Sequence, residues 1–235
     1  MTKQVIEKAV VLLSGGLDST TCLAIAKQAG FNCYALSIAY GQKHSSELHF
    51  AKKIAEQFRV SHRVVTVTIG DFGGSALTDQ KIAVPDHQGD NDIPVTYVPA
   101  RNTVFLSIAL SYAEVLDADA IFIGANAVDY SGYPDCRKIY FNAFQTLIDC
   151  ATRTTIHGKK IRIETPILTL TKAEIIQLGM SLNVDYAQTV SCYSADDRGR
   201  ACGKCDSCFL RKKGFLEAGV SDATRYSIDL LHNLE

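Results

Sequence analysis

The chain has 235 residues, 47% hydrophobic and 21% charged, with 25 acidic and 24 basic side chains and a formal net charge of −1. That composition fits one substantial globular domain, or one with a small appendage, and gives no basic field for non-specific nucleic-acid binding. No apolar run approaches the roughly 20 residues of a membrane helix, and residues 1–8 carry no signal-peptide core. The expected location is therefore cytoplasmic, where eight cysteines are thiols or metal ligands rather than disulfides.

Residues 9–13 are all apolar and predict a strand buried on both faces. Ser14-Gly15-Gly16 breaks it, and Asp18-Ser19-Thr20 opens a helical pattern that runs to Ala29 and stops at Gly30. A strand, a glycine turn and a helix start leave backbone N–H groups aimed at one point, and the helix dipole adds partial positive charge there. The predicted ligand is a phosphate, cradled by residues 12–21: Leu12, Leu13, Ser14, Gly15, Gly16, Leu17, Asp18, Ser19, Thr20 and Thr21. A plain turn has no need of the hydroxyls of Ser14 and Ser19 or the carboxylate of Asp18. No G-x-x-x-x-G-K-[ST] occurs, so the loop is not a Walker A motif.

Further strands are expected at 33–39 and 62–69, with a helix over 45–58 between them. Lys43 and His44 lie in the polar loop that leaves the second strand. Residues 70–98, rich in Gly, Asp and Pro, have no period and are expected to form a lid. They lead through Pro99-Ala100-Arg101-Asn102 into a helix over 103–116 whose predicted buried face is Val104, Ile108, Tyr112 and Val115. A fourth strand at 120–123, a helix at 139–151 and a fifth strand at 161–163 follow, and Thr171-Lys172-Ala173-Glu174 predicts a capping box at the start of another helix. Strands alternating with helices make an α/β fold, a doubly wound and mainly parallel five-stranded sheet, whose ligands bind beyond the carboxyl ends of the strands.

Cys192, Cys202, Cys205 and Cys208 stand in the spacing C-x9-C-x2-C-x2-C within a mostly polar stretch. Four thiolates close a tetrahedron and leave no open position, so a structural zinc ion is expected to organise this small helical C-terminal segment. An iron–sulfur cluster is the rival reading, weakened by the missing C-x3-C-P step. Cys22, Cys33, Cys136 and Cys150 are expected to be buried small hydrophobes. The expected division is an α/β domain carrying the phosphate loop over 1–185 and a zinc-binding segment over 186–235. Asp129 to Arg137 packs two carboxylates, two phenols and an arginine into nine residues beside the glycine loop.

Ser14-Gly15-Gly16-Leu17-Asp18-Ser19 resembles the PP-loop of enzymes that split ATP between its α and β phosphates. Together with Val98-Pro99-Ala100-Arg101-Asn102, Asp129-Tyr130-Ser131-Gly132-Tyr133-Pro134-Asp135-Cys136-Arg137, Thr165-Pro166, Leu170-Thr171-Lys172-Ala173-Glu174 and the four-cysteine end, it resembles the 7-cyano-7-deazaguanine synthases over almost the whole length. Leu17, where many members carry Gln, is the one departure. The resemblance implies a ligase that converts 7-carboxy-7-deazaguanine, ammonium and ATP with Mg2+ into the nitrile, in queuosine biosynthesis, and a zinc-containing homodimer. Asp18, Lys172 and Arg101 are then expected to act on the phosphates, and Arg101, Asn102, Asp129, Tyr133, Asp135 and Arg137 to hold the substrate. Asp129 and Asp135 stand as equal candidates for reading the guanine-like edge. The alternatives are a PP-loop enzyme that thiolates tRNA, and a non-catalytic zinc-ribbon RNA-binding module that would leave the glycine loop unexplained.

Overall fold

The computed structural model describes residues 6–43, 46–87, 93–128 and 133–227. Asp129 and His44, singled out above, lie outside them. Strand β1 (Lys8–Leu12) is followed by α1 (Leu17–Gln28), β2 (Asn32–Ala39), α2 (Ser46–Gln57) and β3 (Ser61–Thr66). Then come α3 (Arg101–Leu116), β4 (Ala120–Phe122), α4 (Lys138–Ala151), the short α5 (Arg153–Ile156) and β5 (Arg162–Glu164). Helices α6 (Lys172–Ser181) and α7 (Asp206–Ala218) close the chain. The five strands pair in the order β3-β2-β1-β4-β5, and every pairing is parallel.

The apolar run of β1 follows from burial on both faces. Val10 and Leu12 point into a layer with Leu106, Ala109 and Leu110 of α3 and Phe144 and Ile148 of α4. Ala9, Val11 and Leu13 point the other way, toward Leu23 of α1 and Ala51 and Ile54 of α2. A third cluster joins Leu17 and Cys22 of α1 to Ile175 and Ile176 of α6 and Phe215 of α7. The expected boundary at residue 185 thus falls in a chain whose two sides share a core. The strand order reverses between β1 and β4, which opens a crevice at their carboxyl ends.

Three expectations are corrected. The face of α3 set against the sheet is Asn102, Leu106, Ala109, Leu110 and Ala113, while Val115 is exposed. That helix is apolar nearly all round, so periodicity alone did not choose a face, and the small Ala109 and Ala113 permit the closest approach. Strand β3 stops at Thr66 because β2 ends at its partner Ala39. The chain then turns through a 3-10 segment at Ile69–Phe72, with Gly70 N–H donating to the Tyr40 carbonyl (3.0 Å). Cys150 is exposed, unlike buried Cys22, Cys33 and Cys136.

Ile121 is fully buried on β4, between β1 and β5, and belongs to the layer beneath α3. Ile121→Ala is expected to cost about 2–5 kcal/mol, measured by urea unfolding.

Candidate active site

The loop after β1 is shaped by what cannot fit beside it. Gly15 has φ +90°, and a Cβ there would lie 2.5 Å from the Glu47 carbonyl oxygen and 2.8 Å from the Ala51 nitrogen of α2. A side chain at Gly124, on the exit of β4, would lie 2.9 Å from the Ser19 nitrogen. Both glycines let neighbouring backbone close tightly around the start of α1.

Within the loop, Ser14 N–H donates to Ser19 Oγ (3.2 Å), and the Ser14 and Ser19 hydroxyls lie 3.0 Å apart. Thr20 Oγ1 donates back to the Gly16 carbonyl (2.8 Å) and Thr21 Oγ1 to that of Leu17 (2.9 Å). Ser14, Gly16, Leu17, Asp18 and Ser19, with Leu12 and Leu13, line a cavity of about 220 Å³. Gly15, Thr20 and Thr21 shape the loop without lining it.

Asp18 and Lys172, both expected to act on the phosphates, meet each other in an ion pair. The ammonium donates to both carboxylate oxygens, at 2.8 and 2.9 Å, with the two side chains 8% and 19% exposed. The predicted capping box is present, with Thr171 and Glu174 exchanging hydrogen bonds at the start of α6. It places Lys172 at the first helical position. Helix α7 presses on the stem of this lysine, where a Cβ at Gly214 would lie 2.3 Å from Lys172 Cγ. Lys172 therefore reaches Asp18 from beneath the loop and does not line the cavity.

Arg101 and Asn102 do line the cavity, with Tyr133 and Cys136. Arg101 opens α3 after Ala100, whose left-handed backbone (φ +53°) turns the chain sharply. Burial weighs against the Arg101 charge, but the phenols of Tyr40, Tyr133 and Tyr193 outweigh it and hold the guanidinium above its ordinary pKa. Burial likewise raises the Tyr133 phenol, which hydrogen-bonds Thr96 Oγ1 at 2.9 Å.

Asp135 and Arg137 are outside the cavity lining. Asp135 is buried and accepts from the Asn102 backbone N–H (3.1 Å), which caps α3. Arg137 Nε donates to the Pro134 carbonyl (3.1 Å). Asp135 thus braces the start of α3, and Arg137 braces the turn that precedes α4. Lys43 lines it, yet donates to the Ile82 carbonyl (2.6 Å) and so straps the 70–98 loop to β2's exit.

The sequence reading missed Glu47, Tyr40 and Ser191. Glu47 and Tyr40 line the cavity. Burial pushes the Glu47 carboxyl up to about 7, against the opposing pull of Arg101. Ser191 Oγ accepts from the Leu17 N–H (3.1 Å), and Val190 N–H donates to the Gly15 carbonyl (3.0 Å). The signal for Glu47 was its place on the first turn of α2, one residue before Leu48. Nothing local could reveal Ser191, whose partner is remote in sequence.

The four cysteines converge. Their sulfurs lie within 4.8 Å of one another, with Cys192 to Cys205 at 4.0 Å and Cys202 to Cys208 at 3.9 Å. A single tetrahedral ion with metal–sulfur bonds of about 2.3 Å requires sulfur separations of about 3.8 Å. So compact a set fits one ion, whereas a cluster spreads its thiolates over separate irons. Cys202 and Ser194 N–H groups donate to Cys192 Sγ, and Lys204 N–H donates to Cys202 Sγ. Such donors support thiolate charge around a metal. The surrounding stretch is less polar in space than in sequence, because Phe50 of α2 joins Val190, Ala195 and Ala201 against the cysteines. His87 fastens the 70–98 loop to this segment by stacking on Phe209 (3.8 Å) and bonding Asp206 (2.7 Å).

Gly15→Ala is expected to cost at least about 1–2 kcal/mol, because of its positive φ and the collision with α2. Gly16→Ala meets nothing nearer than 3.4 Å and should cost less. Paired thermal melts of the two variants check this.

Comparison with known proteins places these residues in context. Residues 8–219 match the family described as Queuosine biosynthesis protein QueC. The chain is 63% identical over 221 residues to a 7-cyano-7-deazaguanine synthase from Coxiella burnetii, covering 94% of this chain and 98% of the relative. Another from Saccharophagus degradans is 60% identical over 222 residues, with the same coverage. Among solved structures, the NMN synthetase of Francisella tularensis aligns with a TM-score of 0.51 at 18% identity, over 96% of this chain and 81% of that one. At that identity the likeness shows the fold alone.

Proposed function

From the premise that the chain belongs to the QueC family and is an enzyme of the ligase class, we propose that it converts 7-carboxy-7-deazaguanine, ammonium and two ATP into 7-cyano-7-deazaguanine. The observation that carries the mechanism is the glycine loop at the strand-order reversal, with Ser14, Ser19 and the start of α1 facing the crevice. Oxygen of the substrate carboxylate attacks the α-phosphorus of ATP. An acyl-adenylate forms and pyrophosphate leaves into the loop, where N–H groups and hydroxyls stabilise its charge.

Ammonia then displaces AMP and gives an amide. A second adenylation, on the amide oxygen, and loss of AMP leave the nitrile. Asp18 keeps a second lone pair on each carboxylate oxygen beside its bond to Lys172, which fits it to hold a magnesium ion. When bound, that ion would neutralise charge on the departing pyrophosphate. Arg101 and Asn102, on the opposite wall, hold the acidic end of the substrate, and Tyr133 offers its ring to the base. Lys172 fixes Asp18 and neutralises charge beneath the phosphates. The 70–98 loop, whose Leu77 lines the cavity, keeps the activated intermediates from water.

The compact sulfur set supports a structural zinc, and exposed Ile139 and Ile156 offer apolar surface for a homodimer. No helix among the described residues is long and apolar enough to cross a membrane; the enzyme is read as a cytoplasmic one with small-molecule partners.

Each activation should release AMP and pyrophosphate, so the acid should consume two ATP per nitrile and the amide one. Mass spectrometry with nucleotide chromatography reads this, and ADP with phosphate as products would refute the loop assignment. The purified protein should carry one zinc per chain by elemental analysis. Cys205→Ser should lose the ion and melt at lower temperature, because segment 191–208 loses its organising centre.

A further inference from the structure

Two carboxylates of the described residues line the cavity, and their situations differ. Asp18 is held on both oxygens by Lys172. Glu47, by contrast, has no hydrogen-bond partner for its carboxyl among the described residues. Its backbone is nevertheless fixed. The Gly15 contact pins the Glu47 carbonyl against the glycine loop. Three residues on, Phe50 is gripped by the turn at Gly199, where a Cβ would lie 2.3 Å from the ring. A carboxyl carried on so firmly held a backbone, at the cavity wall beside the glycine loop and unused by the fold, is placed for chemistry rather than packing.

Resting on the reaction proposed above, we propose that Glu47 is the proton acceptor for the nitrogen nucleophile. As the nitrogen of ammonia bonds to the acyl carbon, the bond from that carbon to the AMP oxygen breaks. One N–H proton passes to the Glu47 carboxylate. The products are the amide, AMP and a protonated Glu47, which returns its proton to water. Atoms and charge balance without a further reactant. A base works best when its own proton affinity lies near the operating pH, and burial has raised this carboxyl to about 7. The other charged and titratable groups around the chamber are Tyr40, Lys43, Asp18, Arg101, Tyr133 and Tyr193, with the thiols of Cys136 and Cys192. Of these, Arg101 opposes the rise at Glu47, while burial also raises Tyr40 and Tyr133.

The test separates adenylation from amidation. Pyrophosphate exchange into ATP, run with the acid substrate and without ammonium, reports the first adenylation. Its absence in the unaltered protein would overturn the function proposed above, independently of Glu47. Glu47→Gln is expected to keep exchange within a few-fold and to lower amide formation by about 100-fold. At a fixed concentration of uncharged ammonia, amide formation by the unaltered protein should rise with pH through about 7 and level off. In Glu47→Gln that limb should vanish, and in Glu47→Asp it should persist with a lower plateau. A limb retained in Glu47→Gln would overturn the proposal. So would an equal loss of exchange and amidation in a variant that melts normally, which would make Glu47 a phosphate or metal contact. A raised KM for the acid with unchanged kcat and limb would also overturn it, by making the residue a reader of the base. Should Glu47→Gln fail to fold, the Glu47→Asp limb and plateau decide the matter.

Discussion

The arrangement of this site depends on a buried ion pair between the start of α1 and the start of α6. Lys172 and Asp18 are taken largely out of water, which is costly for each charge and is offset only because the ammonium meets both carboxylate oxygens. Removing either partner would strand the other. The pair exists because the capping box starts α6 at Lys172, and because Gly214 lets α7 lie against the lysine stem. One contact thus fixes the first turn of the phosphate loop, the direction of α6 and the seat of the C-terminal helix.

Around that pair the crevice is divided by charge. Leu12, Leu13, Leu36, Ile38 and Phe105 make apolar walls, and the polar groups converge from different strand ends. Arg101 approaches from α3, Glu47 from α2 and the serines from the loop after β1. Parallel strands deliver all of these to one edge of the sheet, so chemistry drawn from distant parts of the sequence meets in one small volume. The cysteine centre stands beside this volume rather than within the reaction path. Cys192 touches the cavity wall while its sulfur faces the other three.

The sheet, its helices and the cysteine cluster were legible in the sequence because each rests on local pattern. An unbroken apolar run marks a strand covered on both sides, Thr171 and Glu174 mark a helix start, and two C-x-x-C steps bring sulfurs together. What escaped was decided by contacts between remote segments. The buried face of α3 escaped because the helix is apolar nearly all round, and only the proximity of β1 and β4 selects Ala109 and Ala113. Asp135 and Arg137, expected from the resemblance to hold the substrate, here bond the Asn102 N–H at the start of α3 and the Pro134 carbonyl, contacts that no local pattern reveals. Glu47 looks like any acidic residue in a helical first turn, and only the third dimension sets it beside Arg101.

The bond from the Leu17 N–H to Ser191 spans 174 residues, and Lys172 is clamped by a glycine still farther along the chain. Synthesis runs from the amino end, so β1 and the glycine loop leave the ribosome long before the groups that brace them. The nascent chain can therefore carry the phosphate loop, yet it has no finished site until α7 has emerged. Whatever chemistry the crevice performs is therefore withheld until α7 has been made, and shorter products carry the glycine loop without its braces.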